Sequence, residues 1–104
     1  MIFLRISSEN EKAIEKIAET LLKERLAIDL NVKRNIERWQ TIDGTIQKTE
    51  VTLLTSKTKG LLFGKIDSLI KKAYREESIE IYSVPIIHMD WDEMKYLQSE
   101  VVEV

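Results

Sequence analysis

His88 is the only histidine of the chain, and Asp90, Asp92 and Glu93 follow it closely. An imidazole beside hard carboxylate oxygens is a donor set for a divalent metal such as zinc or copper, above all where copies of a chain meet. His88 and Asp90 are therefore the candidate metal ligands. The same run has a second reading. Asp90 is a good helix cap, and Asp92 and Glu93 would then sit in a first turn, where the helix dipole favours negative charge. Zinc sites take three or four protein ligands, so one imidazole per chain favours the cap.

Other chemistries fail on residue type or spacing. The chain has no cysteine, which excludes disulfides, thiolate metal sites and cysteine nucleophiles. No serine has a histidine at informative spacing, since His88 is the only candidate base. Gly60-Leu61-Leu62-Phe63-Gly64-Lys65 faintly resembles a phosphate-binding loop, but its glycines are too close together. Ile66 also stands where a Ser or Thr must reach the metal, so packing explains the run. Lys71-Lys72 with Arg75 is answered at once by Glu76-Glu77, as at a solvated helix end. An enzyme is not expected.

The wider composition narrows the partners. Lys and Arg number 16 against 18 Asp and Glu, a net charge of -2, which argues against nucleic acid as a partner. No stretch approaches the roughly 20 apolar residues that span a bilayer, so no membrane partner is expected. The opening Met1-Ile2-Phe3-Leu4-Arg5-Ile6 is too short for a signal-peptide core and lacks a cleavage site, which makes a cytoplasmic location the expectation. With 104 residues, 43% of them hydrophobic, the chain is expected to form one domain over residues 1–104.

Hydrophobic periodicity supplies the elements. Ile2 to Ile6 reads as a buried central strand. Ser8 and Glu11 fit a capping box for a helix whose inward stripe is Ala13, Ile14, Ile17, Ala18, Leu21 and Leu22. The period changes to two at Leu26, with Leu26, Ile28, Leu30 and Val32 on one face of a strand. Asp43-Gly44 marks a tight hairpin turn, and the returning strand runs from about Thr45 to Lys57. Its apolar parity changes between Ile46 and Val51, which predicts a β-bulge near Lys48 to Glu50. A second helix follows from about Lys59 to Tyr74, capped by Thr58, with Leu62, Ile66, Leu69, Ile70 and Ala73 inward. Ile79 to Ile87 is the last long strand, and Pro85 puts it at a sheet edge or near its own end. Asp90 caps a short third helix through Tyr96 and Leu97, and Val101, Val102 and Val104 suggest a terminal strand.

The order βαββαβ plus a short C-terminal helix gives an α+β, ferredoxin-like fold. It has a four-stranded antiparallel sheet with two helices on one face. The opposite face needs another cover, and the long hairpin should project and pair with another subunit.

Arg25-Leu26-Ala27, Asn31, Trp39, Gly44, Lys57-Thr58, Glu80, Pro85 and Tyr96-Leu97, in that order, resemble the CutA family of divalent-cation tolerance proteins. The resemblance covers most of the chain. It departs at Asp29, where family members usually carry a cysteine. It departs again at Tyr74 to Glu80, which replaces a His-Pro-Tyr block and keeps only its glutamate. The resemblance implies a non-enzymatic homotrimer, related in fold and assembly to the PII signalling proteins, with a ligand cleft between adjacent subunits. Trp39, Lys57 and Glu80 would line that cleft as an apolar wall, a cation and an anion. The competing reading packs Trp39 at the interface and joins Lys57 to Glu80 in a salt bridge. A divalent metal or a small ligand is the implied cargo; the alternative is a structural trimer that docks a protein partner.

Overall fold

The computed structural model describes all residues, Met1–Val104. Alternation of apolar and polar side chains builds four strands, β1 (Ile2–Ser8), β2 (Ile28–Ile42), β3 (Thr45–Thr58) and β4 (Ile79–Pro85). Three helices join them, α1 (Glu11–Lys23), α2 (Phe63–Ala73) and α3 (Trp91–Glu100), with a single 3-10 turn at Gly60–Leu62 leading into α2. The sheet order is β2-β3-β1-β4, with every neighbouring pair antiparallel. This is the expected ferredoxin-like arrangement. β1 is central, and β4 is an edge strand whose last residue is Pro85, where no ladder donor is needed.

One side of the sheet carries Leu4 and Ile6 of β1 and Leu54 of β3, all fully buried. They form one core with Ile14, Ile17 and Leu21 of α1 and Ile66 and Ile70 of α2. Removing these side chains from water is the main favourable term for the fold, worth about 1.5–3 kcal/mol for each large aliphatic group. Leu97 and Val101 bring α3 and the tail into the same cluster.

The helix ends differ from the expected caps. Asn10, not Ser8, is the N-cap of α1: its Oδ1 accepts from the Ala13 amide at 3.1 Å. The Ser8 hydroxyl serves one step earlier, accepting from the Asn10 amide at 3.1 Å. Glu11 pairs with Arg34 instead of reaching back to a cap. Leu22 lies outside the buried stripe and is exposed. Thr58 ends β3 and donates its hydroxyl to the Leu26 carbonyl, and α2 starts after the 3-10 turn with no side-chain cap. Ala73 is exposed as well.

α1 ends with Arg25 in the left-handed region (φ 56°), where glycine is the usual residue. Arg25 has a second task there. Its guanidinium donates to the Ser99 and Glu100 carbonyls at the end of α3, and its own carbonyl accepts from the Val102 amide. Lys59 adds two hydrogen bonds to the Val101 and Val102 carbonyls. The tail is thus held by side chains and one backbone bond, and no terminal strand forms.

The predicted bulge exists in kind but on the partner strand. β3 is regular throughout its distal half, whereas β2 carries an extra residue between Ile28 and Asn31 and another between Lys33 and Ile36. Asp29 (φ 52°) and Asn35 (φ 56°) occupy those steps. Both residue types tolerate positive φ better than most, which is why the bulges settle there. The parity change in β3 has another cause: Leu54 faces the helices, Val51 and Leu53 face the other way, and Ile46 lies beyond the helices altogether. The hairpin closes as expected at Asp43-Gly44, both at positive φ (50° and 77°).

β1 pairs with β3 only over Thr52–Thr58, so residues 45–51 run past the sheet together with the end of β2. That extension makes the molecule 46 Å long against 28 and 21 Å in the other directions.

Candidate functional site

Strand alternation turns Phe3, Arg5 and Ser7 of β1 away from the helices. The pairing places them beside Lys57, Thr55 and Leu53 of β3 and beside Val84, Tyr82 and Glu80 of β4. Because of the second bulge, Ile36 and Arg38 of β2 join the same face, opposite Val51 and Thr49. This open face is a mixture of half-buried apolar groups and charges, with no helix of the pair α1 and α2 over it.

Arg38 organises its centre. Nη2 donates to the Ser7 hydroxyl at 2.7 Å, and Nη1 stands 3.7 Å from the Glu80 carboxylate. Where the projecting hairpin leaves the sheet, Arg38, Gln40 and Thr49 meet Ser8, Glu9 and Glu80 around a cavity of about 370 Å³, with Lys71 and Ser78 on its rim. Two cations face two carboxylates across a largely polar lining. Such a cleft suits a small polar ligand better than an apolar one.

Among the sequence-predicted residues, only Glu80 lies in this cleft. Lys57 is on the same face but at the other end of β1, opposite Phe3 where Glu80 is opposite Ser7. Four residues along the strand direction, roughly 13 Å, and β1 itself lie between them. Lys57 pairs with Glu93 of α3 and with Asp29 at 3.6 Å, so the expected Lys57–Glu80 salt bridge does not form. Glu80 takes Arg38 instead. Trp39 points to the reverse side of the hairpin from Arg38, is 59% exposed, and has the Lys48 ammonium 4.1 Å from its ring centroid. Within one chain the three residues do not share a pocket.

Asp90 is the N-cap of α3, accepting from the Glu93 amide at 3.4 Å, with Asp92 and Glu93 in the first turn. His88 is exposed two residues earlier. No three His, Asp or Glu side chains of the chain converge into a set able to hold a metal ion. The donors of a single chain therefore do not fit a divalent centre. The glycine run packs as expected, with Leu62 and Ile66 buried.

Arg38, Arg5 and Ser7 were not singled out from the sequence. The signal was present in Asn35: a residue tolerant of positive φ within a strand marks the bulge that turns Arg38 toward Ser7.

The family model described as CutA1 divalent ion tolerance protein matches residues 2–100. Solved structures agree in fold. CutA1 from Oryza sativa superposes with a TM-score of 0.88 at 22% identity, covering 99% of this chain and 94% of that one. CutA1 from Pyrococcus horikoshii gives 0.86 at 22% identity, covering 99% and 100%. The periplasmic divalent cation tolerance protein CutA from Archaeoglobus fulgidus gives 0.84 at 22% identity, covering 98% and 100%. No curated protein sequence matches the chain.

Proposed function

Because the chain belongs to the CutA1 divalent ion tolerance family, we propose that it works as a non-enzymatic homotrimer that binds its cargo between copies. One observation carries this reading. Helices α1 and α2 cover a single face of the sheet, and the other face exposes Tyr82 and Val84 while the projecting hairpin exposes Trp39, Ile42 and Ile46. Burying apolar surface of this extent against other copies is the simplest way to remove it from water. The polar cleft around Arg38 and Glu80 opens beside that surface, where a neighbouring copy would add a wall. It is the proposed place for a small ligand, in the manner of the PII-like signalling trimers.

A copper or zinc ion is the other candidate cargo. Since one chain supplies no complete donor set, His88 and Asp90 would have to combine with donors from further copies. A second reading, a trimer that docks a protein partner, is favoured by Ile87, 85% exposed before α3, and Trp91, 65% exposed at its first position.

Native mass spectrometry of protein purified without chelator tests the proposal. The expected result is a trimer. Extra mass on it would identify the ligand or metal, and its absence would put partner docking ahead. A monomer at micromolar concentration would overturn the assembly reading. In parallel, His88→Ala should abolish thermal stabilisation by added copper or zinc, and an unchanged shift removes His88 from any metal site.

A further inference from the structure

Few main-chain bonds join α3 and the tail to the rest of the chain. The Ile86 amide donates to the Met1 carbonyl before the helix, and the Val102 amide donates to the Arg25 carbonyl after it. Leu97 and Val101 are the only buried side chains from Ile86 onward. The other ties come from cations. Arg25 Nε and Nη2 donate to the Glu100 and Ser99 carbonyls at 3.0 and 2.8 Å, and Lys59 Nζ donates to those of Val101 and Val102 at 3.1 and 2.9 Å. A helix leaves its last carbonyls without internal donors, and its dipole is negative there, so both cations are well placed. Neither cation has a carboxylate partner. At the other end of α3, Glu93 of the first turn pairs with Lys57 of β3.

We propose that α3 is a strap, latched by Arg25 and Lys59, that opens and closes as one unit while the sheet, α1 and α2 stay folded. Local opening costs less where fewer apolar groups leave their packing. Opening α3 withdraws Leu97 and Val101, whereas Leu4, Ile6, Leu54 and the α1 and α2 residues packed on them keep one another's contacts. Residues 86–90, which belong to no helix or strand, supply the hinge. The movement has an electrostatic consequence. Closed, α3 gives Lys57 the Glu93 carboxylate; open, it leaves Lys57 with Asp29 alone, at 3.6 Å. The strap thus sets how many counter-ions Lys57 carries on the sheet face opposite α1 and α2. All of its contacts lie within one chain, so the device goes beyond the ion-tolerance reading and does not depend on the trimer.

The test is hydrogen exchange of the full chain at several low urea concentrations, read by mass spectrometry on peptides from α3 and from β1. α3 is expected to exchange about tenfold or more faster than β1, at a rate that does not change with protein concentration. Its exchange should also depend less steeply on urea, because its opening bares less surface than unfolding does. Arg25→Gly isolates the latch. The left-handed backbone at Arg25 (φ 56°) suits glycine, and the Val102 bond to that carbonyl remains. This change should speed exchange in α3 by about fivefold or more. Arg25→Lys, which keeps the charge but loses the fork, should restore part of the protection. Lys59→Met keeps the aliphatic stem and should act in the same direction, so it carries the test if Arg25→Gly fails to fold. Exchange in α3 as slow and as steeply urea-dependent as in β1 would overturn the strap, and so would unchanged α3 exchange in either folded variant. Exchange in α3 that slows as protein concentration rises would overturn it too, since the opening would then belong to dissociation of an assembly.

Discussion

Leu54→Ala is expected to lower the stability of the chain by about 2–5 kcal/mol, the range for truncating a fully buried leucine. Leu54 has no exposed surface and sits in the middle of β3, opposite Ile6 on one side and Val32 on the other. Its side chain faces α1 and α2, so the truncation loses contacts with two strands and with the helix layer at once. The regular backbone pairing on both flanks limits how far the site can collapse into the void. Urea unfolding at fixed protein concentration measures the effect, with Leu61→Ala as the control. Leu61 is 82% exposed and its truncation should stay within about 0.5 kcal/mol. A loss below about 1 kcal/mol for Leu54→Ala would mean that the core is not organised around β3.

Trp39→Ala is expected to leave that core untouched and to weaken self-association by on the order of a few kcal/mol. Trp39 belongs to the part of the hairpin that runs past the sheet, and it shares this region with the exposed Ile42 and Ile46. Lys48 caps the ring by a cation–π contact, which suits a side chain that must stay in water until another surface arrives. Ile46 shares the face of Trp39, and a large exposed aromatic beside an apolar neighbour is the usual anchor of an interface. The measurement is the concentration at which the assembly dissociates, followed by sedimentation or mass photometry, with far-ultraviolet circular dichroism to confirm that the chain still folds. An equally stable assembly after this change removes Trp39 from the interface.

Most of the fold is legible in the residues because local signals agree with one another. The stripe Ile14, Ile17, Leu21, the turn at Asp43-Gly44 and the cap at Asp90 each name one local structure, and each forms. Errors fall where two local signals compete. Ser8 and Asn10 are both good caps, and backbone geometry, not residue type, chose Asn10. Apolar parity breaks in β3 and so points to a bulge there. Apolar parity reports burial, however, and the distal hairpin has no core to report on. The site was harder to read than the fold for the same reason. Trp39, Lys57 and Glu80 stand out by type, but the two bulges of β2 and the four residues of β1 between the levels of Lys57 and Glu80 decide which of them meet. Lys57 found its partners, Asp29 and Glu93, across the tertiary structure, where no sequence spacing points.

The central position of β1 also has a consequence for how the chain is made. β1 is translated before both of its partners, β3 and β4. The β2–β3 hairpin can zip up locally around its two-residue turn as soon as it emerges, at a small loop-closure cost. β1 must wait with Ile2, Phe3, Leu4 and Ile6 unpaired, and it is enclosed on its second side only when β4 has been synthesised. A nascent chain of this topology therefore carries an open apolar strand until β3 and β4 have been made, the interval in which a chaperone has something to hold.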